Sequence, residues 1–161
     1  MSIARRYAAA TGNTSFGYFG GGNGPVSTVD RIDYSNDTAT AAAKGPLSLA
    51  RYALAATGNS SFGYFSGGYP GPKSTVDRID YSNDTATAPA KGPLSAANRY
   101  LGATGNADFG YFGAGLASSV VSTVDRIDYS NDTATASPKG PLSVIRYGLA
   151  AASSAANALP Q

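Results

Sequence analysis

The sequence predicts an all-β fold of repeated antiparallel units, and three observations predict it. The fifteen-residue string STVDRIDYSNDTATA occurs three times without change, starting at Ser27, Ser74 and Ser122, 47 and then 48 residues apart. FGYF recurs from Phe16, Phe62 and Phe109, and KGPLS from Lys44, Lys91 and Lys139. Gly-Asn, Gly-Gly and Gly-Pro pairs interrupt every stretch long enough for a helix, so no 3.6-residue apolar period develops.

Each unit divides into four short strands. The opening segment, RYAAATGN in the first unit, closes on a Gly-Asn turn signal. FGYF follows as an aromatic second strand, in which Phe16 and Tyr18 point to one face and Phe19 to the other. The third, STVDRIDY, is β-branched and ends at the turn-forming Ser-Asn-Asp. TATA is the expected fourth strand, stopped by Lys-Gly-Pro. Four strands per ~47 residues, joined by Gly, Pro, Asn and Asp turns, fit the blade of a β-propeller, whose neighbours cover both faces. The units fall at about 3–48, 49–96 and 97–143, with a fourth copy of strand one at 144–150 and an Ala-rich tail at 151–161.

Composition narrows the chemistry. The 161 residues contain no Cys, His, Trp or Glu, and the net charge is +2. Zinc sites, haem ligation, Cys nucleophiles and Ser-His-Asp triads therefore lack their residues. DRIDYSND spaces its acids unlike an EF-hand loop, and Gly20-Gly21-Gly22 lacks the Lys-Ser/Thr of a phosphate loop. A charge of +2 without a basic cluster does not suggest nucleic acid. No stretch approaches the ~18 apolar residues of a membrane helix. The basic start, MSIARRYAAATGN, has no apolar stretch behind it, so no secretory signal is expected. No enzyme, cofactor or metal is expected, and no compartment is named.

At this point the units resemble the kelch repeat. That family has a diglycine ending strand two, matched by Gly20-Gly21 and Gly67-Gly68, and a Val-acid-Arg phrase in strand three, matched by VDRID at 29–33, 76–80 and 124–128. Its opening Arg is matched by Arg51, Arg99 and Arg146. Ile32, Ile79 and Ile127 stand where the family has Tyr, Ala39, Ala86 and Ala134 where it has Trp, and the third diglycine is Gly-Ala-Gly. The aromatic wedge between blades must then come from FGYF and from Tyr34, Tyr81 and Tyr129. The uniform wording is similar to repeats in phage and viral proteins, which implies a structural or host-attachment role.

Three blades are too few to close a ring, since propellers usually have ~4–8. The expected partner is a second copy, giving a homodimer that forms one six-bladed ring. A monomer capped by other proteins and a fragment of a longer array are the alternatives. The loop between strands two and three varies most. It supplies Asn23, then Tyr69 and Lys73, then Leu116 as candidate contacts to a protein or glycan. By resemblance, Arg6, Arg51, Arg99 and Arg146 would form a cationic ring on the same face. The plainer alternative ties each Arg to an Asp of VDRID, as suits residues that repeat unchanged.

Overall fold

The computed structural model describes residues 4–152, and these form three antiparallel sheets with no α-helix among them. The first sheet is a meander of β1 (Ala9–Gly12), β2 (Phe16–Gly20), β3 (Val29–Asp33) and β4 (Ala42–Lys44). The second holds β5 (Ala55–Gly58), β6 (Phe62–Ser66) and β7 (Val76–Asp80). The third holds β8 (Gly102–Gly105), β9 (Phe109–Leu116), β10 (Val120–Asp128) and β11 (Ser137–Lys139). Residues 153–161 of the expected tail lie outside the described residues.

The turns follow from side chains the repeat supplies. Asn13 Oδ1 accepts from the backbone N–H groups of Ser15 and Phe16, both at 2.9 Å, closing the β1–β2 hairpin. Asn59 and Asn106 do the same in the other units. The preceding glycine is obligatory, because a Cβ on Gly12 or Gly58 would strike the carbonyl of Phe16 or Phe62. After the third strand, Asp33 Oδ1 accepts from the N–H and hydroxyl of Ser35, at 2.9 and 2.6 Å. This caps a one-turn 3-10 helix, Tyr34–Asn36, which recurs at Tyr81–Asn83 and Tyr129–Asn131.

That turn moves the fourth strand away from TATA. Pairing begins later, at Ala42 and Ser137, while in the second and third units the Thr-Ala-Thr-Ala segment crosses to the preceding unit. There Ala88 N–H donates to the Pro46 carbonyl at 2.9 Å, and Ala136 N–H to that of Pro93 at 2.8 Å. The expected four strands are complete only in the first and third units. In the second, pairing shrinks to a single bridge between Asp77 and Ala90. Pro89 explains the loss: its carbonyl accepts from Arg78 N–H at 3.1 Å, but it has no N–H to return. Pro138 falls one register later, opposite Asp125, and β11 survives.

The sheets pack in sequence through two matching cores. Ala9, Tyr18, Val29 and Leu47 from the first unit meet Leu54, Phe65, Ile79 and Ala88 from the second. Ala55, Tyr64, Val76 and Leu94 then meet Leu101, Phe112, Ile127 and Ala136. The second sheet thus buries one apolar face against the unit before it and the other against the unit after it, whereas the first and third sheets are each covered on one face among the described residues.

Candidate functional site

The contacts between sheets form a set that is made twice. Tyr18 donates its hydroxyl to Asp84 of the next unit at 2.9 Å, and Tyr64 donates to Asp132 at 3.0 Å. Each Asp also takes an arginine and a lysine from the earlier unit. Arg31 and Lys44 reach Asp84 at 2.7 and 3.1 Å, and Arg78 and Lys91 reach Asp132 at 2.8 and 3.4 Å. Tyr81 stacks on Tyr18 at 4.8 Å between centroids, and Tyr129 on Tyr64 at 4.7 Å. These are the aromatic contacts expected between units. Burial opposes ionisation of Asp84, but Tyr18, Lys44 and Arg31 offset it and hold the carboxyl below its usual range. Burial, reinforced by Asp84 and Asp132, pushes the Tyr18 and Tyr64 phenols up.

A close backbone approach completes the set. Gly45 N–H donates to the Asp84 carbonyl and Gly92 N–H to that of Asp132, both at 2.8 Å. A Cβ on either glycine would collide with the carbonyl of Ala86 or Ala134.

Each end of the molecule holds one half of a third such set. On the last sheet, Tyr111, Arg126 and Lys139 occupy the places of Tyr18, Arg31 and Lys44, but among the described residues no carboxylate meets them. A Cβ on Gly140 would meet nothing within 4 Å, unlike those on Gly45 and Gly92. On the first sheet, Tyr34 is 54% exposed, and no ion pair reaches Asp37 among the described residues. Phe19 and Ile32 are half-exposed there, where Phe65 and Ile79 are buried.

The sequence-selected arginines separate. Arg51 is fully buried: it pairs with Asp77 at 2.8 Å and donates to the carbonyls of Gly67, Thr75 and Phe65. Its counterpart in the first unit is Arg5, which pairs with Asp30 at 2.8 Å and donates to Phe19 and Thr28. The left-handed residues Tyr7, Ala53, Tyr100 and Gly148 mark the true register of the opening segments. In that register Arg5, Arg51, Asn98 and Arg146 are equivalent, and Arg6, Tyr52, Arg99 and Tyr147 follow them. The four Arg-Tyr pairs are therefore out of step, and the four arginines form no single ring. Arg6 and Arg146 are exposed, while Arg99 is half-buried with its guanidinium 4.8 Å above the Tyr69 ring.

The opening segments instead bring tyrosines together. Tyr7 lies 6.2 Å from Tyr52 and 6.0 Å from Tyr100, Tyr52 lies 5.3 Å from Tyr69, and Tyr100 lies 6.2 Å from Tyr147. Tyr69 and Arg99 of the sequence-selected set belong to this face. Asn23 is exposed beside it, its N–H donating to the Arg6 carbonyl, and Leu116 bridges Arg99 at the end of β9. Lys73 bridges Asn98 through its backbone. Sequence reasoning missed Tyr7, Tyr52, Tyr100 and Tyr147, although the Arg-Tyr repeat was their signal. It also missed Asp37, Tyr111, Arg126 and Lys139, whose meaning depends on which copies find a neighbour.

Among the described residues no cluster of three His, Cys, Asp or Glu is placed to hold a metal, and no helix is long and apolar enough to cross a membrane. No known protein family matches the sequence. No curated protein matches it either.

Proposed function

We propose that the chain is a non-enzymatic, kelch-like propeller half that joins head to tail with a second copy into a six-bladed ring. One observation carries this reading: the two ends present the separated halves of a contact set that the molecule already makes twice. Tyr34 and Asp37 of one copy would meet Tyr111, Arg126 and Lys139 of the other, as Tyr81 and Asp84 meet Tyr18, Arg31 and Lys44. A head-to-tail joint of this kind closes when the rotation per unit fits the ring, and six units lie within the usual ~4–8. Light scattering coupled to size exclusion, at two concentrations, tests it. A species of twice 16.2 kDa is expected. Asp37→Lys should shift the protein to single copies, and a wild-type chain that stays single at every concentration would sink the reading.

The tyrosine face supports a second reading, a recognition surface for a protein or glycan around Tyr69 and Lys73. Flat aromatic rings beside a guanidinium suit such contacts. A glycan and peptide array should give saturable signals that disappear in Tyr69→Ala/Lys73→Ala.

A further inference from the structure

The joint of the proposed ring poses a choice that the residues resolve. Arg51 has two attachments. Its backbone sits on the preceding unit, with Arg51 N–H donating to Val26 and its carbonyl accepting from Gly22, at 3.1 and 2.9 Å. Its side chain reaches forward into the following sheet, to Asp77. Arg5 and Arg146 each have one half of this arrangement. Arg5 has the carboxylate, Asp30, but no preceding unit beneath its backbone. Arg146 has the backbone seat, its N–H donating to Val121 at 3.3 Å and its carbonyl accepting from Gly115 at 2.9 Å. Its side chain is exposed and, among the described residues, donates to the carbonyl of Val144, two residues away, at 3.4 Å. Closing the ring places both arginines at one site, which holds only one.

We infer that residues 143–149 keep their seat on the third sheet, and that Arg146 takes Asp30 of the partner copy, displacing that copy's Arg5. This rests on the ring reading above. Three features show the third sheet fitted to its own C-terminal segment rather than to a partner's N-terminus.

First, the core position of Leu54 and Leu101 is Leu149 in this segment but Ala8 at the N-terminus. Second, the third sheet reshapes that seat. Ala114 replaces the glycines at 21 and 67 on which Leu54 and Leu101 pack, and Gly102 replaces Ala9 and Ala55. The two changes together move the leucine seat, and a Cβ on Gly102 would lie 2.9 Å from Leu149 Cγ. Third, the ladder from Ala53 N–H to Tyr7, Tyr100 N–H to Ala53 and Gly148 N–H to Tyr100 alternates large and small residues. Gly148 sets a small residue beside Tyr100, where a partner's Tyr7 would set a second tyrosine. Beyond Ala150 the match ends, since Ala152 lacks the hydroxyl that Thr11 holds 3.3 Å from Tyr81. The segment is thus a clamp, not a whole strand, and β1 of the partner stays in place.

Two substitutions in the full chain give opposite results. Arg146→Ala should weaken assembly at least about tenfold and leave the melting temperature of the single copy unchanged, because its side chain is exposed there. Arg5→Ala should lower that melting temperature, since Asp30 loses its cation. It should also tighten assembly at least about tenfold, because joining then restores the pair. Gly148→Pro, which lifts the segment from its seat, should weaken assembly as Arg146→Ala does. If Arg5→Ala weakens assembly and Arg146→Ala does not, the N-terminal arginine keeps the site and the inference fails while the ring survives. If neither the wild type nor any variant assembles, the ring reading itself has failed.

Discussion

Buried Arg51 shows how position decides what a repeated residue does. It has no exposed surface and satisfies three carbonyls as well as Asp77, so its charge is consumed in holding the second unit to the first. Burial pulls its pKa down, with Asp77 acting against that fall. Arg51→Ala leaves Asp77 buried with only Ser48 to hold it, and should destabilise the fold by about 3–5 kcal/mol in urea melts. The third unit already lives without this pair: Asn98 stands in its place and donates to the Ala114 carbonyl at 2.7 Å. Tyrosine pairs behave likewise. Tyr81 and Tyr34 are the same residue of the same string, yet Tyr81 stacks and Tyr34 stands in solvent. Tyr81→Ala, which removes a partly buried ring stacked on Tyr18, should cost up to about 3 kcal/mol, while Tyr34→Ala should leave single-copy stability within about 0.5 kcal/mol.

At the scale of elements, the strands were legible where the repeat alternates side chains and illegible where turns intervene. FGYF and VDRID pair as strands two and three in every unit, although only the second unit has a neighbour on both faces. TATA has the same β-branched look, but in the second and third units the Asp80–Ser82 and Asp128–Ser130 caps bend the chain first and the segment goes to the preceding unit. Pro89 and Pro138 differ by one place in register, and only the structure reveals that one removes a needed donor and the other does not. Pro89→Ala should therefore create a slowly exchanging amide at position 89 in hydrogen-exchange measurements. The opening segment misled for a different reason. Arg-Tyr is a true repeat of letters but not of places, since Arg6, Arg51 and Arg99 are 45 and 48 residues apart while β1, β5 and β8 begin 46 and 47 residues apart.

For the whole molecule, the charges set a wide pH window. The Asp84 carboxyl titrates below its unfolded value of about 3.9, so its contribution is present above pH ~4 and fades as the pH falls further. Asp33, Asp80 and Asp128 act in the same direction through their serine partners. The buried phenols act at the other limit. Their contribution is intact below the unfolded value of about 10 and is lost as the pH rises toward the folded values, which for Tyr129 is about 12. With no histidine to titrate between, melting temperatures should form a plateau from about pH 5 to 9. Tyr18, Tyr64, Tyr81 and Tyr129 should ionise only together with unfolding when absorbance near 295 nm is followed. The identity of the fifteen-residue strings carries a last consequence. A substitution written into all three copies would disturb interior and seam alike, but the same change written once has an address. Placed at Asp84 or Asp132 it attacks the fold; placed at Asp37 it speaks only to the proposed neighbour. Within the proposed ring, subunit number would then follow from a single codon, with the architecture of each chain left as it was.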